Sequence, residues 1–120
     1  MWDDVGIIRD AASLARAAGT LDELEAQLDA TGVDGNDLAF NLTWHDWMNL
    51  KNLILVSKSI CHAAVAREDS RGAHFREDFP EVRDVENSRF TSVKWANNRF
   101  DCTTKPVAFT RVRPGETLLK

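Results

Sequence analysis

The stretch that decides the fold of this chain reads Arg67-Glu-Asp-Ser-Arg-Gly-Ala-His-Phe-Arg-Glu-Asp-Phe-Pro80. It holds three arginines, four carboxylates and one histidine, so its formal charges nearly cancel. It follows the most apolar segment of the chain and precedes the only segment with a strand-like pattern. Gly72 and Pro80 interrupt regular structure across it. The stretch therefore marks the point where a helix ends and a different kind of structure begins.

The charged residues of this stretch favour pairing with other protein groups over catalysis. A run of mixed charge is often only a solvated helix end, and that alternative stays open. Phe75 and Phe79, however, lie among the charges and place part of the stretch against apolar surface. Arginine also suits bidentate pairing with carboxylates at interfaces. We interpret the following side chains as docking or structural residues: Arg67, Ser70, Arg71, His74, Arg76 and Asp78.

Upstream of this stretch, apolar residues recur at helical spacing. The pattern predicts three helices, over residues 2–18, 21–30 and 44–68, with a loop over 33–42. Gly19 is expected to end the first helix in a left-handed conformation. Thr20 and Glu23 have the spacing of a capping box for the second.

The third predicted helix is the longest, and we expect Thr43 and Asp46 to cap it. It carries two neighbouring apolar stripes, one with Cys61 and Ala64, the other with Val56 and Ile60. A helix that is apolar on two sides is expected to be central. The fold class is therefore mainly α, a small antiparallel three-helix bundle of the spectrin-repeat kind.

A β-hairpin is expected after the bundle. Thr91, Val93 and Trp95 alternate with polar or small residues, and Asn97-Asn98 suits a two-residue turn because asparagine tolerates positive φ. Pro106 should end the second strand, with one further edge segment over 107–111. We predict a single domain, with the bundle over residues 1–79 and the hairpin extension over 80–120.

Composition excludes several classes of function. The net charge is −4 and no basic block is present, so nucleic-acid binding is not expected. The longest strongly apolar run, residues 53–56, is far too short for a transmembrane segment. Cys61 and Cys102 follow no secretory signal, so we expect reduced thiols in a cytoplasmic protein.

Catalytic, metal and nucleotide sites are not expected within the chain. The three histidines lack the spacing that places two imidazoles on one helix face. Cys61 lies on an apolar stripe, where a buried thiol is inert. Neither Gly-rich phosphate-binding pattern occurs, so we expect no cofactor bound by this segment.

The four tryptophans are many for 120 residues. Trp47 and Trp95 are expected to be core anchors. Trp2 and Trp44 fit a core role and an interface role equally well, since tryptophan is enriched at protein contacts. We therefore add Trp2 and Trp44 to the candidate docking residues.

Three segments resemble the C-terminal domain of the succinate dehydrogenase/fumarate reductase flavoprotein family, which includes L-aspartate oxidase. They are Met1-Trp-Asp-Asp-Val-Gly-Ile-Ile-Arg9, Asn52-Leu-Ile-Leu-Val-Ser57 and Ala66-Arg-Glu-Asp-Ser-Arg-Gly-Ala-His-Phe-Arg-Glu-Asp-Phe-Pro80. The resemblance covers nearly the whole chain and is weakest over 20–42. One departure is Asp69, where the family usually has glutamate.

The resemblance implies that this domain packs against the FAD-binding domain of a longer parent protein. In such proteins hydride passes between a substrate and FAD, and the catalytic groups lie outside the segment seen here. An iron–sulfur subunit is a second expected partner, and a peripheral position on the inner face of the membrane is an expected alternative location. Met1 is then expected to be an internal methionine of the parent. The alternative hypothesis is a free-standing protein-interaction module without redox activity.

Overall fold

The computed structural model describes residues 1–35, 37 and 39–117. The loop expected over 33–42 and the extension expected to reach 120 therefore lie partly outside the described residues. In chain order the elements are α1 (Trp2–Val5), β1 (Ile8–Arg9), α2 (Ala11–Thr31), α3 (Leu42–Ala66), β2 (Phe75–Arg76), β3 (Arg89–Ala96) and β4 (Arg99–Pro106). The described chain is thus mainly helical, with an antiparallel strand pair at its C-terminal end.

The two helices expected over 2–18 and 21–30 are wrong in their bounds, because α2 runs without a break from Ala11 to Thr31. Gly19 lies inside it and does not take a positive φ. A helical glycine costs only about 1 kcal/mol relative to alanine. Burial of Leu14, Ala17 and Leu21 on one continuous face outweighs that cost.

The caps of α2 are not the ones expected from sequence. The capping box is formed by Asp10, whose Oδ1 accepts from Ser13 N at 2.6 Å, while Asp10 N donates to Ser13 Oγ at 3.0 Å. The expected box at Thr20 and Glu23 would lie in the helix interior. Gly32, with φ of +63°, follows the last residue and ends the helix.

The N-terminal segment reverses between α1 and α2. At Gly6 an added Cβ would lie 2.6 Å from the carbonyl oxygen of Trp2, so a side chain does not fit there. The chain then forms β1, which pairs in parallel with β2, Ile8 opposite Phe75 and Arg9 opposite Arg76. Two-residue strands are too short for a periodic pattern, so this pairing was not predicted.

Helix α3 lies close to its expected bounds, but its cap is Asn41, whose Oδ1 accepts from Trp44 N at 3.0 Å. The expected caps at Thr43 and Asp46 are wrong, because both residues lie inside the helix that begins at Leu42. Lys51 pairs with Asp29 at 2.9 Å. Farther along α3, Lys58 pairs with Asp22 at 2.6 Å and Glu25 at 2.5 Å, so α2 and α3 are antiparallel.

The core is small and lies between α1, α2 and one face of α3. Its members are Val5, Leu14, Ala17, Leu21, Cys61 and Ala64. Of the two apolar stripes on α3, the one with Cys61 and Ala64 is buried, whereas Val56 and Ile60 on the other are 56% and 45% exposed. The sequence pattern predicted that both stripes would be buried. In the structure, the residues of this chain bury only the stripe with Cys61 and Ala64.

The hairpin is confirmed. Strands β3 and β4 pair antiparallel with Trp95 opposite Phe100, and Asn97 and Asn98 take φ of 51° and 60° in the turn. The hairpin rests on α3, where the ring of Phe100 lies 4.7 Å from that of His62. No strand follows Pro106 in the described part of the chain, so the expected edge segment over 107–111 is wrong.

Candidate functional site

Arg76 closes the C-terminal end of α3. Its side chain is 3% exposed. Its Nη1 donates to the carbonyl oxygens of Ala64 at 2.9 Å, Val65 at 3.3 Å and Arg67 at 3.3 Å. The last carbonyls of a helix lack partners within the helix and carry its negative dipole end. A buried guanidinium therefore satisfies these oxygens and complements the dipole.

Asp78 links Arg76 to the start of α2. Its Oδ1 and Oδ2 accept from Arg76 Nε at 2.7 Å and Nη2 at 2.6 Å, a bidentate pair. The Oδ2 atom also accepts from Ala11 N at 3.1 Å. The hydrogen bond from Arg76 lowers the pKa of Asp78 to about 2. One ion pair thus joins the end of α3 to the beginning of α2.

Ser70 holds the turn that brings Arg76 into place. The residue is 3% exposed. Its Oγ accepts from Arg76 N at 2.8 Å and lies 2.8 Å from the carbonyl oxygen of Phe79, to which the hydroxyl donates. The serine therefore satisfies one donor and one acceptor of a buried backbone.

Arg71 ties this turn to the segment that leads into the hairpin. Its Nη1 donates to Ser88 Oγ at 2.5 Å, and its Nη2 donates to the carbonyl oxygens of Arg83 and Asp84 at 3.1 Å each. The backbones of Arg71 and His74 exchange hydrogen bonds across a tight turn in which Gly72 has φ of +55°. That positive φ explains why glycine occupies position 72.

Arg67 and His74 are the remaining two of the six docking or structural residues predicted within Arg67–Pro80. Arg67 Nε donates to Asp69 Oδ1 at 2.7 Å, and Asp69 Oδ2 lies 3.5 Å from Arg71 Nε, so Asp69 reaches two arginines in spite of its shorter side chain. His74 Nε2 lies 3.3 Å from the carbonyl oxygen of Arg67, which can only accept, so Nε2 donates. Burial is the main cause that lowers the pKa of His74, which favours the neutral ring.

The structure thus brings the six segment residues together at the junction of α3, the turn and the hairpin. Each has a partner within the described part of the chain. Their docking to a second domain stays a prediction, since the contacts seen here are internal.

The burial of the four tryptophans differs from the prediction. Trp2 is 87% exposed and Trp44 is 38% exposed, so Trp2 is no core anchor of this chain. Trp47 is partly buried, and its Nε1 donates to the carbonyl oxygen of Leu28 at 3.1 Å. The core role expected for Trp95 is wrong, because the residue is 47% exposed. Its ring lies 4.5 Å from that of Phe100, at an angle of 57°.

Sequence reasoning found the second apolar stripe of α3 but did not predict that it is exposed. We call Leu53, Val56 and Ile60 the α3 stripe; they are 62%, 56% and 45% exposed. Their spacing of three and four residues places them on one helix face. Ile7 and Ile8 near the N-terminus are also exposed, at 60% and 61%. An exposed face and a buried face have the same sequence pattern, so only the tertiary structure shows that this one is uncovered.

The described residues hold no group of three or more His, Cys, Asp or Glu side chains arranged to bind a metal ion. Cys61 is 1% exposed, and burial raises the pKa of its thiol. Within the same described ranges, no helix is both long enough and apolar enough to cross a membrane.

The chain is similar to known proteins over most of its length. A family profile described as fumarate reductase flavoprotein C-term matches residues 1–118. An uncharacterized FAD-dependent oxidoreductase of Methanocaldococcus jannaschii is 39% identical over 84 residues, which is 70% of this chain and 15% of that protein. An L-aspartate oxidase of Yersinia pestis is 32% identical over 91 residues, 76% of this chain and 16% of that protein.

A solved structure of Escherichia coli quinol fumarate reductase has a TM-score of 0.84 and 25% identity to this chain. The match covers 97% of this chain and 20% of that one. The chain therefore spans a fifth or less of the length of these relatives.

Proposed function

Because the chain belongs to the C-terminal domain family of the succinate dehydrogenase and fumarate reductase flavoproteins, we propose that it packs against the FAD-binding domain of an oxidoreductase. It carries out no redox chemistry by itself in this proposal. The match over residues 1–118 favours this function over a free-standing interaction module.

The observation that carries the proposal is an excess of exposed surface. The chain of 13.5 kDa exposes 9134 Å². A monomeric protein of that mass exposes roughly 6,500 Å². The surplus of roughly 2,600 Å² exceeds the roughly 800 Å² that each partner buries in a standard interface. The radius of gyration of 18.8 Å also exceeds the roughly 14 Å expected of a compact domain of this length.

The α3 stripe is the part of this surplus best suited to a permanent contact. Burying an apolar side chain of this size stabilises by about 1.5–3 kcal/mol relative to full exposure. Leu53, Val56 and Ile60 are about half exposed, so covering them supplies several kcal/mol in total on that same basis. Trp2 and Trp44, together with Arg67, Ser70, Arg71, His74, Arg76 and Asp78, belong to the proposed docking and structural set.

We further propose that the parent holds FAD, which supplies hydride transfer, and that its substrate is a small dicarboxylate. Relatives named for fumarate and for L-aspartate support that class. A partner iron–sulfur subunit and a location in the cytoplasm or on the inner face of the membrane are proposed from the family resemblance alone.

The three-helix bundle is also part of this proposal. Helix α1 has one turn but supplies Val5 to the core between α2 and α3, which supports a three-helix arrangement.

The test uses the protein encoded by the longest reading frame that contains these 120 residues. We expect an in-frame upstream region with a Gly-rich dinucleotide-binding pattern, and a protein that purifies with flavin. Val56→Asp combined with Ile60→Asp should lower the ratio of flavin to protein and the thermal midpoint. Thr103→Asp, at an exposed strand position, is the matched control. A stop codon directly upstream, or unchanged flavin content in the double variant, would contradict the proposal.

A further inference from the structure

Arg9 is a partly buried arginine that has no carboxylate partner among the described residues. It lies in β1, directly opposite Arg76 of β2. Its Nη2 donates to the carbonyl oxygen of Ala73 at 3.2 Å, which is a neutral acceptor. Its Nε is buried and has no hydrogen-bond partner in the described part of the chain. A charged group in this position is incompletely satisfied by the chain itself.

The surroundings of Arg9 disfavour its charge. Burial is the main cause that lowers the pKa of Arg9, and the positive charge of Arg76 is the next. Arg71 shows what Arg9 lacks, since its Nε is also buried without a hydrogen bond, but Asp69 Oδ2 lies 3.5 Å from it. Arg9 has no such anion beside it within the described ranges, so its charge is uncompensated there.

Three carboxylates that lie close to β1 and β2 in sequence do not neutralise Arg9. Asp10 Oδ1 accepts from a backbone N–H in the capping box of α2. Both carboxylate oxygens of Asp78 accept from Arg76. Glu77 is exposed and forms no ion pair with a described residue. A group outside the described residues is therefore the best source of the missing anion.

Exposed apolar side chains flank Arg9 along β1 and β2. Ile7 and Ile8 precede it and are 60% and 61% exposed, and Phe75, opposite Ile8, is 39% exposed. A free phosphate or another small ion would leave these side chains in water. A protein surface would cover them and supply the anion at the same time. Arginine is also enriched at the centres of protein contacts. The chemistry thus favours an acidic side chain set in an apolar protein surface.

We propose that Arg9 receives an aspartate or glutamate carboxylate from the FAD-binding domain of the parent, with Ile7, Ile8 and Phe75 as the apolar rim of that contact. This inference rests on the proposed function and names the chemistry of one contact between the two domains. A guanidinium and a carboxylate form strong charge-assisted hydrogen bonds. An apolar rim that excludes water strengthens the attraction between the two charges.

The test compares Arg9→Met in the isolated 120-residue chain and in the parent encoded by the longest reading frame that contains it. Methionine keeps an unbranched aliphatic side chain and removes the charge. Because this charge is uncompensated within the chain, the isolated variant should lose no stability. The parent variant loses the ion pair between domains, so its thermal midpoint should fall by about 3 °C. Its ratio of flavin to protein should fall as well.

Arg99→Met is the matched control, since Arg99 is an exposed arginine paired with Asp101 at 3.0 Å in the hairpin. It should change the midpoint equally in the isolated chain and in the parent. For Arg9→Met, an equal fall in both proteins would place the role of Arg9 within this chain and overturn the inference. An unchanged midpoint in the parent would overturn it too.

A second measurement needs only the parent. Arg9→Glu places like charges at the contact and should lower the flavin content further than Arg9→Met does. In that background, each Asp and Glu of the upstream domain is replaced by Lys, one at a time. We expect one replacement to restore flavin content and thermal midpoint, because it re-forms the pair with the charges exchanged. Restoration at no position would refute the inference.

These results are distinct from those that test the proposed function. If Val56→Asp combined with Ile60→Asp lowers the flavin content and Arg9→Met does not, the packing stands and only the role of Arg9 is refuted. If neither set of substitutions lowers it, both ideas are refuted.

Discussion

Arg76 shows how one side chain can hold the ends of two helices. It satisfies carbonyl oxygens at the end of α3 and, through Asp78, reaches the first N–H of α2. The guanidinium is 3% exposed, so the hydrogen bonds that it makes are largely shielded from water. Within the charged stretch Arg67–Pro80, Arg76 is therefore a structural residue that links two helices.

We expect Arg76→Ala to lower the free energy of unfolding by about 3 kcal/mol, since removing one partner of a buried pair leaves the other uncompensated. Urea unfolding of the purified chain measures this. Arg99→Ala, which breaks an exposed pair, should cost less than about 1 kcal/mol. Equal effects of the two substitutions would contradict the structural role of Arg76.

Asp78 gives the chain a predicted sensitivity to acid. Its folded-state pKa of about 2 lies below its ordinary value of 3.8. A depressed carboxyl pKa contributes stability that is present above pH 4 and is lost as the pH falls toward 2. We expect Asp78→Asn to be less stable at neutral pH and to show a shallower loss of stability between pH 4 and 2. Circular dichroism during urea unfolding at several pH values checks this, and an unchanged slope would contradict it.

At the scale of elements, α2 shows that packing can outweigh the tendency of a glycine to end a helix. The helix continues through Gly19 because Leu14, Ala17 and Leu21 form one buried face on both sides of it. Gly32, by contrast, takes a positive φ and does end the helix. The same residue type has opposite roles at the two positions, and the difference lies in the neighbouring apolar residues.

Gly19→Ala should therefore stabilise the chain by about 1 kcal/mol, because alanine has the higher helix propensity. A Cβ at this position meets no atom within 4 Å, so no clash opposes the gain. Gly32→Ala should destabilise it, because position 32 has a positive φ. The thermal midpoints of the two variants measure both effects. A loss of stability in Gly19→Ala would mean that α2 is broken there.

At the scale of the whole molecule, the chain exposes more surface and is more extended than an independent domain of its size. The surplus includes the α3 stripe and the isoleucines near the N-terminus. These features suit a domain whose exposed apolar side chains are covered by another protein surface.

We expect the isolated 120-residue chain to remain colourless when FAD is added and passed through a gel-filtration column. No Gly-rich phosphate-binding pattern is present in its sequence. We assign FAD binding to a different part of the parent protein. Visible flavin absorbance that elutes with the chain would contradict that assignment. An equimolar FAD-binding flavoprotein on the same column is the positive control.

The sequence by itself determined the family, the long helix α3, the hairpin with its Asn97-Asn98 turn and the residues of the motif. These features depend on the local spacing of apolar residues, on the residue types in the turn and on the specific sequence of Arg67–Pro80. All three can be recognised without knowing which distant residues are in contact. Only the tertiary structure decided that α2 is one helix, that Arg76 caps α3 and that Val56 and Ile60 lie uncovered. Each of these depends on which residues from distant positions meet. An apolar helix face has the same pattern whether its partner is in the same chain or in another domain, so burial could not be read from the pattern.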